Sequence, residues 1–227
     1  MKYILAINTS PRKGWNTAAL VRTAAQGVQV QGARAEVIDL YTLGQFTGCI
    51  SCFACKKEPN RGRCVCQDAL SPVLEKIRAA DGLILGTANY LCSATAGFHA
   101  LYERLVFQSL TYQKENMCCN DHLIPVLLIF TSNTGETVYT LDTPEGRMLR
   151  RYQNTLSVYV GPTDTFVYGD TLQVQDYSSY QWDIFDPDEK QKSTKRSFQS
   201  RRKSFFSLVS NWSAIVAWSN NVARIDN

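Results

Sequence analysis

The chain has no long hydrophobic run. No apolar stretch approaches the ~20 residues that a membrane-spanning helix needs, which argues against a membrane protein. It has little excess of either charge: 24 Lys and Arg stand against 20 Asp and Glu, a net +4, which gives no ground for a nucleic-acid partner. Histidine is scarce, with only His99 and His122. His99 falls between apolar positions of a helical pattern, where packing is the expected role, and no catalytic side chain is assigned. There is no internal repeat, no low-complexity linker, no glycine signature of a resident dinucleotide, and no signal-peptide core ahead of the first strand pattern. A soluble, cytoplasmic protein is the expectation.

Cysteine is the residue in excess. Five of the eight, Cys49, Cys52, Cys55, Cys64 and Cys66, fall within 18 positions. In a chain without secretion features, such clustering points to metal or redox chemistry before disulfides. The remaining 227-residue composition, 44% hydrophobic and 19% charged, supports one large domain with a real core.

The organising stretch is 2–17, KYILAINTSPRKGWNT. Tyr3 to Ile7 form an apolar run of strand length. The chain then turns polar through Ser10, Pro11, Arg12, Gly14, Asn16 and Thr17, before Leu20, Val21, Ala24, Ala25 and Val28 recur at helical spacing. Strand, short polar loop and helix start make an anion site, because the first N–H groups of a helix are unpaired and carry partial positive charge. Ser10, Asn16 and Thr17 add donors and Arg12 adds a full charge. An ordinary capped turn is the plain alternative.

Strand patterns recur at 33–40, 82–88, 124–130 and 165–174, with helical patterns at 69–80, 98–106 and 144–159. The runs GLILGTA and IPVLLIF suit strands buried on both faces of a parallel sheet. Five alternations predict a three-layer, doubly wound α/β fold with right-handed crossovers and a five-stranded parallel sheet. Ligands in such sheets sit beyond the strand C-termini, where the polar loops Ser10–Thr17, Thr87–Thr95 and Thr131–Thr137 would gather. Domain bounds of 1–177, with a cysteine-rich insertion at 44–68, leave a tail at 178–227. There, a basic run at 190–203 reads as a solvated helix face. Phe205, Leu208, Val209, Trp212, Ile215 and Val216 then form an apolar stripe for packing on the domain or on another subunit.

In the insertion, Cys49-x-x-Cys52-x-x-Cys55 followed by Cys64 could hold an iron–sulfur cluster. Cys52, Cys55, Cys64 and Cys66 could make a tetrahedral zinc site, or the thiols could be metal-free. Lys56, Lys57, Arg61 and Arg63 would offset an anionic thiolate centre. Cys92, Cys118 and Cys119 match no ligand spacing.

The run from Asn8 through Thr17 resembles the phosphate loop of flavodoxin-like NAD(P)H-dependent FMN reductases. The segments Cys49–Cys55 and Gly62–Asp68 resemble their iron–sulfur flavoprotein branch. Thr87-Ala88-Asn89-Tyr90-Leu91 stands where that group has Ser-Pro-x-Tyr, and Glu103-Arg104 where it has Asp-Arg. The resemblance covers about residues 2–137 and implies noncovalent FMN, with Ser10, Arg12, Asn16 and Thr17 at its phosphate. It puts Ala88, Asn89, Tyr90 and Leu91 along one side of the isoalloxazine and Thr131, Ser132, Asn133 and Gly135 along the other. Cys49, Cys52, Cys55 and Cys64 would correspond to ligands of a four-iron, four-sulfur centre. The implied activity is an oxidoreductase that takes electrons from a transient NAD(P)H and passes them to a small molecule or a protein such as ferredoxin. The implied assembly is a homodimer or homotetramer. An electron carrier without turnover, or a zinc-stapled binding module without flavin, are the competing readings.

Overall fold

A computed structural model describes residues 1–194, 201, 204–207, 209 and 212. Its elements run β1 (Tyr3–Asn8), α1 (Asn16–Val30), β2 (Arg34–Asp39), α2 (Ser71–Ala79), β3 (Gly82–Ala88), α3 (Ala96–Ser109), β4 (Val126–Thr131), α4 (Pro144–Tyr159) and β5 (Thr163–Tyr168). All four strand pairings are parallel, in the order β2-β1-β3-β4-β5. This is the doubly wound order of flavodoxin-like proteins, as the alternation predicts.

Alternate strand residues point to opposite faces, so each strand feeds two cores. Leu5, Ile7, Leu83, Leu85, Leu128 and Phe130 pack under α2, α3 and α4. Ile4, Ala6, Ile84, Leu127 and Ile129 pack under α1, together with Phe205, Val209 and Trp212. The Phe205 ring lies 4.3 Å from that of Phe166. Leu208, Ile215, Val216 and most of the basic run at 190–203 lie outside the described residues. The strands β3 and β4 are covered on both faces, each aliphatic side chain there contributing ~1.5–3 kcal/mol.

Strand ends differ from the sequence pattern chiefly at β4 and β5. Pro125 cannot donate to a ladder, so β4 begins at Val126, two residues after the expected start, although the Pro125 carbonyl still accepts from Leu83 N–H at 2.9 Å. The expected fifth strand at 165–174 stops at Tyr168. Asp170 adopts a left-handed backbone with φ 54°. Asp170 N–H donates to Thr134 O (2.8 Å) and Thr171 N–H to Ser132 O (2.9 Å). Residues 169–174 therefore fold over the loop that follows β4.

Helix α1 lies tightly on β3 because Gly86 has no side chain. A Cβ there would stand 2.2 Å from Val21 Cγ2 and 3.1 Å from Thr17 Cγ2. Gly86→Ala is expected to destabilise the fold by about 1–3 kcal/mol through overpacking, read as a lower urea midpoint. An unchanged midpoint would mean that α1 is free to slide on the sheet.

Candidate functional site

Buried threonines hold the C-terminal edge of the sheet together. Thr9 N–H and its hydroxyl both reach Gly86 O at 2.8 Å. Thr95, the N-cap of α3, donates its hydroxyl to Thr9 O at 2.7 Å and its N–H to Thr87 Oγ1 at 3.2 Å. Thr17 and Thr131 pair through their hydroxyls at 2.7 Å. These bonds fix the loops after β1, β3 and β4 against one another.

The three loops border an open cleft at the C-terminal edge of the sheet. Ser10, Arg12, Asn16 and Thr17 line one wall, Ala88, Asn89 and Tyr90 the next, and Thr131, Ser132 and Asn133 the third. Pro11 and Gly14 sit on the exposed outside of the first loop. Thr87 is buried in the threonine network and Gly135 is exposed ahead of a short helical turn. Leu91 is 100% exposed. These five candidates do not line the cleft.

A fourth wall comes from Thr171, Leu172 and Gln173, which the strand pattern conceals. Trp15 Nε1–H and Asn16 Nδ2–H both donate to Leu172 O, at 3.0 and 2.9 Å. Arg12 stacks on Trp15, 4.2 Å from the ring centroid, and donates to Gln173 O at 2.5 Å. The bonding partners here are backbone carbonyls, for which side-chain spacing carries no signal. The first turn of α1 has no side-chain cap, so its N–H groups are available to an anion.

One acceptor in the cleft is unspent. Asn89 Nδ2–H donates to the Tyr139 hydroxyl at 2.8 Å, whereas Asn89 Oδ1 is buried with no partner among the described residues. Burial pushes the Tyr139 phenol above its ordinary pKa, against the opposing hydrogen bonds from Ser132 and Asn89, so it stays neutral. A donor set for phosphate at one end and a buried acceptor for a ligand N–H at the other suit a flavin mononucleotide. His99 accordingly has a bracing place, its Nε2 within 3.0 Å of Ser93 Oγ and 3.1 Å of Tyr152 Oη.

The cysteines form a second locus. Cys49, Cys52, Cys55 and Cys64, with Cys66, border one small pocket walled by Ile50, Phe53, Val65 and Phe107. All are free thiols. Among the described residues, no group of three or more His, Cys, Asp or Glu is arranged to hold a metal ion. Burial pushes the Cys55 thiol up, Lys56 opposes this, and the nearby Cys64 and Cys49 add to the rise. Helix α3 supplies the polar groups that hold the loop. Glu103 Oε2 accepts from Cys49 N–H and Gln108 Oε1 from Cys64 N–H, both at 3.1 Å. Lys56 donates to the carbonyls of Phe107 and Leu110 at the C-terminus of the helix. Buried Arg104 pairs with Asp68 at 2.5 Å, and Asp68 accepts from Thr47 and Leu70 N–H.

Residues 2–131 match the family described as NADPH-dependent FMN reductase. An iron-sulfur flavoprotein of Methanocaldococcus jannaschii is 35% identical over 101 residues, 44% of this chain and 50% of the relative. The chain spans about half the length of the curated relatives it matches. The NAD(P)H:quinone oxidoreductase from Methanothermobacter marburgensis superposes with a TM-score of 0.63 at 12% identity, over 93% of this chain and 97% of that one. The FMN-dependent NADH-azoreductase from Bacillus anthracis, in complex with FMN, gives 0.61 at 12% identity, over 94% and 100%. At such identities the structural likeness concerns the fold. Among the described residues, no helix is long and apolar enough to cross a membrane.

The Asp68 carboxyl is raised by burial, but hydrogen bonds from Arg104, Thr47 and Leu70 and the Arg104 charge outweigh that and hold it below its ordinary pKa. Its stabilisation is therefore full above the ordinary value of about 4 and is lost as pH falls through the depressed one. Wild type should exceed Asp68→Asn by roughly 3–5 kcal/mol at neutral pH, with the gap narrowing as pH falls through the depressed value. Urea midpoints of the two proteins from pH 7 downward test this; a gap that does not change with pH would sink the assignment.

Proposed function

This chain belongs to the NADPH-dependent FMN reductase family, and from that premise we propose that it is an FMN-dependent oxidoreductase drawing on NAD(P)H. The observation that carries the reading is the cleft itself, with an uncapped helix start beside Arg12 at one end and the unspent Asn89 Oδ1 among its walls. Bound FMN supplies the hydride-accepting and electron-passing chemistry. The chain's own groups bind and orient it. Ser10, Arg12, Asn16, Thr17 and the first N–H groups of α1 would take the phosphate, Arg12 leaving the Gln173 carbonyl and Asn16 the Leu172 carbonyl to do so. Asn89 offers an acceptor to a ring N–H, and Tyr139, kept neutral by burial, holds Asn89 in place. Ala88, Tyr90, Ser132 and Asn133 would keep water from the ring.

The cysteine pocket favours a further step, onward transfer through a four-iron, four-sulfur centre on Cys49, Cys52, Cys55 and Cys64. Such a cube binds each thiolate at a different corner, so its ligands need not meet at one point as those of a single zinc ion must. What supports the reading is that all four thiols border one pocket and that curated relatives are iron-sulfur flavoproteins. An electron carrier serving a ferredoxin-type partner is the second reading, and the same pocket supports it. A homodimer or homotetramer is part of the proposal, and would cover the exposed Tyr90 of the cleft wall and the exposed Leu91 that follows it.

Arg12→Ala removes a charge-assisted contact of about 1.5–3 kcal/mol. Flavin fluorescence titration of the apoprotein should show FMN affinity falling roughly tenfold to hundredfold; unchanged affinity would refute the phosphate assignment. Cys52→Ala should lose iron and its visible absorbance while keeping FMN, read by metal and flavin assays on anaerobically purified protein. A colourless zinc protein would overturn both flavin readings. Bleaching of the flavin by reduced ferredoxin but by neither NADH nor NADPH would favour the carrier.

A further inference from the structure

Arg104 is 1% exposed and its guanidinium is only partly spent. Nη1–H donates to Asp68 Oδ1 at 2.5 Å, and Nη2–H to Cys66 O at 2.8 Å and Ser71 Oγ at 3.4 Å. The remaining nitrogen, Nε, is buried and its N–H has no partner among the described residues. Arg104 also borders the cysteine pocket.

The other cations of the region are engaged or outside. Lys56 is bound to helix carbonyls and lies over the Phe107 ring, while Lys57, Arg61 and Arg63 are exposed. A buried cation with an unused N–H is costly unless something accepts from it. Sulfur at the rim of an anionic centre is such an acceptor, and hydrogen bonds to the sulfurs are among the levers that set the potential of iron–sulfur centres.

We propose that Arg104 is a positioning residue whose Nε–H donates to an anionic sulfur of the centre held by the cysteine pocket, stabilising its reduced form. The proposal rests on the reading that this pocket holds a four-iron, four-sulfur centre. Reduction adds negative charge beside a fixed, desolvated cation, so loss of the cation makes reduction harder.

The test starts from wild-type protein, grown with heavy-nitrogen arginine, purified anaerobically and reduced with dithionite. Pulsed electron–nuclear spectroscopy of the paramagnetic centre should show a weak coupling to one arginine nitrogen, absent when lysine carries the label instead. A cluster signal without that coupling overturns the Arg104 assignment alone. Absence of any cluster signal overturns the cluster reading, and the assignment with it. Redox titration then compares variants. Arg104→Met, paired with Asp68→Asn so that no carboxylate is stranded, should shift the midpoint to more negative potential. Arg104→Lys, which keeps the charge but not the directed Nε–H, should recover part of the shift. An unchanged midpoint in a variant that retains its iron and FMN refutes the proposal, and the wild-type coupling decides the matter if the variants do not fold.

Discussion

Every feature at the C-terminal edge of this sheet depends on a small set of threonine hydroxyls taken out of water. Thr9, Thr17, Thr87, Thr95 and Thr131 are all buried, and a buried hydroxyl must find a partner or cost a few kcal/mol. Their partners are one another and the carbonyls at the strand tips, so satisfying them fixes how the loops after β1, β3 and β4 sit together. Gly86 makes the network possible by letting α1 approach β3 closely enough for Thr17 to meet Thr131. Three walls of the cleft are thereby held at the sheet edge, and the segment after β5 adds the fourth.

Helix α3 carries that rigidity to the cysteines. Its first residues are capped by Thr95, inside the threonine network, and its later turns present Glu103, Arg104 and Gln108 to the cysteine loop. The two candidate sites are therefore supported by one element while their ligating groups belong to separate loops. Damage to α3 at Arg104 would be felt first by the cysteines, because the Thr95 end is anchored independently by Thr9 and Thr87.

Much of this was legible in the residues. The continuous apolar runs of β3 and β4 and the strand-to-helix transition around Ser10–Thr17 carry the fold, because burial on both faces and an exposed helix start each have a sequence signature. The end of β5 was not legible, since Phe166, Tyr168, Leu172 and Val174 keep a partial alternation across the turn at Gly169–Asp170. What redirects the chain is a left-handed Asp170 and its bond to Thr134, a tertiary contact. The cleft wall it creates uses the carbonyls of Leu172 and Gln173, which every residue possesses. Arg104 was hidden for the opposite reason. It lies among the apolar positions of α3, and a buried arginine is understood only once Asp68 and the cysteine loop are seen to fold against it.

The loop itself gives one more physical argument. Ser51 and Phe53, on either side of Cys52, both have left-handed backbones, with φ of 55° and 58°. For a side chain as bulky as phenylalanine this conformation is unfavourable by about 1–3 kcal/mol and persists only where surroundings impose it. The Phe53 ring packs edge-on to Phe107, with centroids 5.4 Å apart, and stacks on Tyr112, while Glu103 and Lys56 hold the backbone on either side. Cys52 stays exposed between the two strained residues, while these contacts keep it beside Cys49 and Cys55 on the lining of one pocket. The strain is thus balanced by packing against the end of α3, and the order it gives the thiols comes from that helix.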